Sequence, residues 1–447
     1  MDLPMHDDRA LLIQPDAGRD HIGSGPVPPG HTRNLANELE HLARSAGLQP
    51  VLTLQLPLNQ VVPSTLVGKG TLEMLREKVE AEQVGVVLFN CMLTPIQQRN
   101  LEKTLKAKAV DRTGLILEIF AARAQTREGA LQVELASLMY QQSRLVRSWT
   151  HLERQRGGFG MRGGPGETQI EVDRRLIRNR IHQLKEALQQ VERTRTLHYR
   201  KRSSTNRFTV ALVGYTNAGK STLFNRLTGA EVLVEDRLFA TLDPTMRNVR
   251  LPGGQEIILS DTVGFIRDLP HQLVAAFRST LEEVCRADLI LHVIDLADPE
   301  WREQQDAVNR VLAELGARER PIRIVFNKID GLEMESVRSG LAVIPDAIGI
   351  SALTGTGVAA LLDVIAREMC RDWSTFQLRI PVTEGALLAR LNREGELLSC
   401  DEREEHLHVA VVLSDIAAGR LRAELEQFHD TAHGLLSRTT LQEEVVP

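Results

Sequence analysis

The sequence predicts a multi-domain α/β protein, on three observations. Short apolar runs of strand length alternate with stretches of helical periodicity in the first part of the chain and again from about 208 to 371. Between these regions, helical periodicity continues on both sides of a glycine-rich break. An apolar run at Phe208–Val213 leads directly into a turn containing glycine and then into a helix. The 447 residues exceed what one compact core holds and suggest about three domains.

Residues 1–127 read as a small α/β domain. Ala10–Ile13, Val51–Leu54, Val84–Phe89 and Leu115–Ile119 have the composition of strands. Asn34–Ala46 and Thr71–Glu82 have helical patterns, and Gly18–Gly30 reads as a loop. Residues 128–205 read as a long helical hairpin. Leu131, Leu135, Leu138, Leu145, Trp149 and Leu152 fit one helix face. Ile177, Ile181, Leu184, Leu188 and Val191 then recur in alternating steps of four and three, a narrow coiled-coil seam. Gly157–Gly166 lies between them, too rich in glycine for a helix to continue, and forms the tip. Residues 206–371 return to alternating strands and helices. Residues 372–447 read as a small α/β tail, with a strand at Leu407–Leu413 and a helix at Ile416–Phe428.

Composition excludes several classes. Hydrophobic content of 42% and charged content of 25% describe a globular chain rather than a disordered one. The start, MDLPMHDDRA, is no signal peptide, and no apolar stretch reaches the length of a membrane span. Cys91, Cys285, Cys370 and Cys400 are scattered without metal-type pairing, as expected of thiols in a reducing cytoplasm.

The chemistry is written in short motifs at strand ends. Gly214, Tyr215, Thr216, Asn217, Ala218, Gly219, Lys220 and Ser221 spell G-x-x-x-x-G-K-[ST] between a strand and a helix. Its glycines let backbone N–H groups wrap phosphates, and the following helix adds its positive end. Lys220 is placed to reach the outer phosphates and Ser221 to ligate Mg2+. This motif alone does not choose between ATP and GTP. Asp261, Thr262, Val263 and Gly264 follow the strand-like Ile257–Ser260. Asp261 suits magnesium held through water, and the Gly264 N–H suits sensing of a γ-phosphate. Asn327, Lys328, Ile329 and Asp330 follow the strand Ile322–Phe326. The Asp330 carboxylate matches the N1–H and 2-amino donors of guanine, a pair that adenine lacks. Lys328 covers the base. Ser351, Ala352 and Leu353 follow Ala347–Ile350, and their backbone is expected to meet guanine O6. The four motifs in this order define a GTP/GDP site of a P-loop GTPase domain. Lys220, Asp261 and Gly264 are its catalytic residues, and a resemblance to the first switch of related GTPases implies Thr241 as the fourth.

A glutamine commonly follows Asp-x-x-Gly and orients the attacking water. Here Phe265 and Ile266 stand there, so slow intrinsic hydrolysis and a partner that completes the site are expected. Asn217, four residues before Ser221, resembles the K+-binding position of cation-activated GTPases, and fits a plain turn-stabilising Asn equally well.

Phe239, Ala240, Thr241, Leu242 and Asp243, running on to Pro244 and Thr245, resemble the first switch of the Obg and HflX GTPases. That resemblance implies that Thr241 gives magnesium a second hydroxyl. Beyond these motifs, Thr94–Glu102, Asp111–Phe120, Leu131–Leu135, Gly160–Gln169 and Asp173–Arg175 resemble HflX-family patterns, so the resemblance covers most of the chain. One glycine more than the family pattern stands between Arg162 and Pro165, and Thr71 replaces a common lysine. The resemblance implies a factor that binds the large ribosomal subunit and its RNA with GTP, near ribosomal proteins of the GTPase-associated region. It implies dissociation of stalled or idle ribosomes and release after hydrolysis. The chain is expected to be a cytoplasmic monomer, with peripheral membrane association as a second location. The alternatives are a ribosome-assembly GTPase and an ATP-dependent RNA-remodelling factor, although Val67–Gly70 is too short for a second phosphate loop.

Charge supports an RNA partner. Arg144–Arg207 holds 16 Lys/Arg against 6 Asp/Glu, which leaves 38 against 53 elsewhere in a chain of net charge −5. On the residues alone this fits an RNA phosphate surface and a solvated helix face equally, and the resemblance favours RNA. Arg154, Arg156, Arg162, Arg174, Arg175 and Arg178 are the expected contacts. The tail from Asp372, with 7 Lys/Arg and 14 Asp/Glu, is not an RNA surface.

Overall fold

The computed structural model describes residues 8–16, 31–58, 60–155, 169–203, 208–229, 238–239, 245–252, 254–267, 273, 278–371, 373–403 and 405–428. The chain divides into two units. One comprises residues 1–250 and 256–358, the other residues 251–255 and 359–447.

The first unit opens with a four-stranded parallel sheet. Its strands are β1 (Arg9–Asp16), β2 (Gln49–Pro57), β3 (Val86–Phe89) and β4 (Lys108–Asp111), in the order β2-β1-β3-β4. Helices α1 (His31–Ser45), α2 (Lys69–Ala81), α3 (Pro95–Leu105) and α4 (Arg112–Arg123) connect and follow them. Parallel strands require such crossovers and become buried on both faces, so they read as continuous apolar runs. Thr94 caps α3 with a reciprocal box, its hydroxyl accepting from Gln97 N while the Gln97 side chain accepts from Thr94 N.

One expectation is corrected here. Leu115–Ile119 is not a strand but the centre of α4. The strand precedes it, at Lys108–Asp111, and Asp111 ends that strand while capping the helix by accepting from Gly114 N at 2.8 Å. Leu115, Ile116, Leu117, Ile119 and Phe120 are all buried, so α4 is apolar around most of its girth and shows no helical alternation.

Helices α5 (Arg127–Gln155) and α6 (Gln169–Ser203) form the expected hairpin arms. Leu135, Ala136, Ile181 and Leu184 are buried where they meet, with Leu131, Leu138, Ile177 and Leu188 packed alongside. Arg180 donates to both carboxylate oxygens of Glu134, at 2.7 and 3.0 Å, tying one arm to the other. Beyond the middle of α5, Arg144 donates to Asp111 at 3.1 Å and so ties the hairpin to the first sheet. The glycine tip, with Arg156 and Arg162, lies outside the described residues.

The nucleotide region is a six-stranded sheet. It contains β5 (Thr209–Gly214), β6 (Thr245–Arg250), β7 (Glu256–Asp261), β8 (Leu289–Asp295), β9 (Ile322–Asn327) and β10 (Ile348–Gly349). The order is β10-β9-β8-β5-β7-β6, parallel except for the β6–β7 pair. β5 is central, so the ends of β5, β7, β8 and β9 all deliver their following loops to one edge. In such sheets the carboxyl ends of the strands are where ligands bind.

The second unit contains a three-stranded antiparallel sheet, β11 (Trp373–Pro381), β13 (His406–Ser414) and β12 (Gly395–Arg403), in that order. The helical expectation for 416–428 is met by two short helices, Asp415–Arg420 and Arg422–Phe428. With the helix Gly385–Glu394 they close a core of Leu378, Ile380, Leu391, Val411 and Leu413.

Candidate functional site

β5 is buried along its length and ends in Gly214 with φ of 154°. A Cβ there would lie 2.1 Å from the Val293 carbonyl oxygen of the neighbouring strand, so the turn is built for glycine. Gly219, with φ of 89°, is confined in the same way: a Cβ would meet Asn327 Nδ2 at 2.1 Å. Between them Tyr215 and Thr216 are buried, and Asn217 is exposed in the left-handed region with φ of 60°. Helix α7 (Lys220–Thr228) starts at once, its N-terminus directed into the loop.

Lys220 is buried, and its Nζ donates to the carbonyls of Gly214 at 3.1 Å and Tyr215 at 2.8 Å. Burial lowers its pKa to about 8, opposed by the neighbouring Asp261 carboxylate. Ser221 Oγ donates to Asp261 Oδ2 at 2.8 Å, which brings the end of β7 to the start of α7. Gly264 lies above both: a Cβ on it would be 2.7 Å from Thr216 Cγ2 and 3.2 Å from Lys220 Nζ. The Asp261–Gly264 turn is fixed to the phosphate loop by a bridge between Tyr215 and Phe265, with Thr216 N donating to Phe265 O at 2.7 Å and Phe265 N to Gly214 O at 3.1 Å. Thr262 Oγ1 donates to Leu212 O at 2.6 Å.

Asn327 holds three motifs together. Its amide donates to Ala218 O at 2.8 Å, and its carbonyl oxygen accepts from Ala352 N at 2.9 Å. Lys328, in the left-handed region with φ of 64°, pairs with Asp295 at 2.7 Å. Ile329 and Asp330 continue in a short helical turn, and Asp330 is exposed, open to an incoming base. Ser351 and Ala352 are buried and Leu353 is exposed. Of the first-switch residues, Phe239 and Thr245 are described, whereas Ala240, Thr241, Leu242, Asp243 and Pro244 lie outside the described residues.

The site also uses residues that the motifs do not announce. Arg226, on α7, donates to the carbonyls of Ala352 and Leu353 and supports the loop expected to meet guanine. His292, opposite Val213 in the sheet, is fully buried, and burial followed by the Lys220 charge holds its pKa down to about 3, so it is neutral at pH 7. A buried polar group joins the first sheet's helices to the phosphate loop. Tyr215 Oη donates to Glu38 at 2.8 Å and accepts from Arg267 N at 2.9 Å. Arg112 contacts Glu38 and donates to Arg267 O at 3.0 Å. Nearby, Phe120 meets Phe239 edge to face at 4.6 Å, and Leu238 N donates to Ser45 Oγ at 3.0 Å. No local pattern marks these residues, because the partners are up to 193 positions apart in the chain.

Magnesium takes oxygen ligands, keeps several waters and uses one or two protein oxygens together with substrate phosphates. Ser221 Oγ beside the Asp261 carboxylate is a donor set of that kind. Among the described residues no group of three or more His, Cys, Asp or Glu gathers into a closed metal cage.

A strand-end cradle of backbone amides, a buried lysine at its centre and a guanine-type Asn-Lys-x-Asp loop locked to it define a GTP-binding P-loop GTPase, a GTP hydrolase. Three family descriptions match in sequence: "GTP-binding GTPase N-terminal" over residues 33–121, "GTP-binding GTPase Middle Region" over 123–202 and "50S ribosome-binding GTPase" over 209–328. GTPase HflX of Magnetococcus marinus is 55% identical over 94% of this chain and 96% of its own. GTPase HflX of Escherichia coli is 49% identical over 79% of this chain and 83% of its own. Among solved structures, a complex of SsGBP with GDP is 26% identical and covers 81% of this chain and 98% of that chain, with a TM-score of 0.47. The chain belongs to the HflX family of GTPases.

Proposed function

We propose that the GTP-bound protein binds the large ribosomal subunit through its basic hairpin and dissociates stalled or idle ribosomes, and that hydrolysis releases it. The observation that carries this reading is family membership joined to a hairpin with 16 Lys/Arg against 6 Asp/Glu in a chain otherwise net negative. Arg174, Arg175 and Arg178 lie on α6, with Arg175 and Arg178 exposed, as phosphate contacts require. Arg154, at the end of α5, belongs to the same set, as do Arg156 and Arg162 of the tip. In this reading a cytoplasmic monomer is divided into an N-terminal α/β domain (1–127), a basic RNA-binding hairpin (128–205), a GTPase domain that acts as the switch (206–371) and a small, acidic C-terminal α/β domain (372–447).

In the reaction, water attacks the γ-phosphorus, the bond to the bridging oxygen breaks, and GDP and phosphate leave. Lys220 and the loop amides hold the phosphates, and the Gly264 N–H reads the γ-phosphate. Ser221 and Thr241 would hold magnesium, with Asp261 acting through water. When bound, the ion neutralises charge on the β- and γ-phosphoryl oxygens. Phe265 and Ile266 are buried and apolar where a water-orienting side chain commonly stands, which supports slow turnover until a ribosome completes the site. Asn217 is exposed on the phosphate loop and is proposed to admit K+. Equal hydrolysis rates in potassium and sodium chloride would remove that assignment.

Sedimentation of purified ribosomes tests the whole reading. With GTP or a non-hydrolysable analogue, whole ribosomes are expected to convert to subunits, and with GDP they are not. If whole ribosomes persist under every nucleotide, the dissociation reading is wrong. Binding confined to precursor particles would indicate an assembly GTPase, and dependence on ATP an RNA-remodelling factor.

A further inference from the structure

We propose that Thr216 is a further catalytic residue of GTP hydrolysis, its hydroxyl hydrogen-bonding the γ-phosphoryl group as water attacks. The inference concerns hydrolysis itself and stands whether or not the partner is a ribosome.

Thr216 lies in the phosphate loop between Tyr215 and Asn217 and is 7% exposed. Its Oγ1 is shielded from solvent and finds no hydrogen-bond partner among the described residues. A buried hydroxyl in that state costs stability. A side chain serving only to fill this space would be better as valine, which has the same shape and no polar atom. The hydroxyl therefore points to a ligand atom as its partner.

Its surroundings show which ligand atom. Thr216 Cγ2 and Cα crowd Gly264, at 2.7 and 3.0 Å from the position of a Cβ there, and Lys220 Nζ lies 3.2 Å from the same position. In the proposed reaction Gly264 and Lys220 contact the terminal phosphate, so the Thr216 side chain, whose methyl packs on Gly264, lies beside that position. The Thr216 N–H is already used, donating to Phe265 O at 2.7 Å, which ties the Thr216 backbone to the residue that stands where glutamine commonly orients water. Phe265 and Ile266 offer no polar atom there, and Thr216 does. A buried hydroxyl that meets an oxygen gaining charge in the transition state is the kind of group that raises kcat rather than ground-state affinity.

The full chain carrying Thr216→Val, Thr216→Ser or no substitution is compared in two assays. One is single-turnover hydrolysis of GTP, and the other is affinity for GDP, which has no γ-phosphate. Thr216→Val is expected to slow the single-turnover step about 10–100-fold, as loss of one transition-state donor does, with GDP affinity within about twofold of the parent. Thr216→Ser, which keeps the hydroxyl and loses the methyl, is expected to recover most of the rate. Two results would overturn the proposal: hydrolysis by Thr216→Val within about twofold of the parent, or a loss of GDP affinity as large as the loss of rate, which would mark Thr216 as a loop-shaping residue only. Retained GDP binding also shows that the valine variant is folded.

Discussion

At the scale of single residues, the site separates recognition of the base from handling of the phosphates. Asp330 is exposed at the end of the Asn327–Asp330 turn, and in the proposed site its two oxygens accept from the two donors on the guanine edge. Exchanging it for Asn replaces one acceptor with a donor. Asp330→Asn is expected to weaken GTP binding by about 2–3 kcal/mol and to improve binding of xanthosine triphosphate, whose edge carries an acceptor where guanine carries its amino group. Competition against a fluorescent guanine nucleotide measures both changes, and unchanged preference for guanine would refute the base assignment. Lys220 gives a pH signature. Burial lowers its pKa to about 8, so the free protein loses that positive charge above pH 8, and phosphates bind the charged form. GDP affinity is therefore expected to be level below pH 8 and to fall as pH rises from 8 to 9.5. The same sign applies to stability without nucleotide: the depressed folded-state value penalises folding below pH 8, and the penalty fades as pH rises toward the ordinary lysine value. Titration of GDP affinity across this range is the check, and a level profile through pH 9.5 would contradict a buried, nucleotide-facing ammonium.

At the scale of elements, the geometry depends on close approach of neighbouring strand ends. Gly214 sits where β5 passes β8, and a Cβ on it would lie 2.1 Å from the Val293 carbonyl oxygen, too close without movement of backbone. Gly214→Ala is expected to lower stability by at least about 2 kcal/mol and to abolish nucleotide binding, as seen by thermal unfolding with and without GDP. A variant that melts with the parent and binds GDP normally would refute the requirement for glycine at this strand end. Helix α4 illustrates a limit of periodicity. Asp111 signals its start as a capping residue, yet the run Leu115–Ile119 is buried on nearly all sides, and buried strands and buried helices share that composition. The hairpin arms are easier to read because one face of each is solvated, which leaves their spacing visible.

At the scale of the molecule, the phosphate loop does not stand alone. Glu38, Arg112, Tyr215 and Arg267 form one buried polar group in which helices of the first sheet meet the phosphate loop and the segment after Gly264. The Arg112 and Glu38 side chains are 8% and 13% exposed, so removing either charge leaves the other stranded away from water. Arg112→Met is expected to cost about 3–5 kcal/mol and to lower the melting temperature by several degrees. A double variant with Glu38→Gln should recover part of that loss, because the stranded carboxylate is gone. Equal melting of Arg112→Met and the parent would show that the pair contributes nothing. A separate contact sets Phe239, at the start of the expected first switch, edge to face against Phe120 of α4.

By itself the sequence determined the parts whose physics is local. Glycine at turns that close on phosphate, a lysine and serine opening a helix, a carboxylate shaped for guanine and two amphipathic arms around a glycine break are all set by neighbours within a few positions. Only the tertiary structure decided what depends on distant chain segments meeting: the helical state of Leu115–Ile119, the Arg226 support beneath Ala352, the burial of the Thr216 hydroxyl, and the polar group that joins Glu38 to Tyr215. Burial and pairing of polar groups are properties of the packed chain. A sequence shows that a side chain can donate or accept, and the fold determines whether it finds a partner.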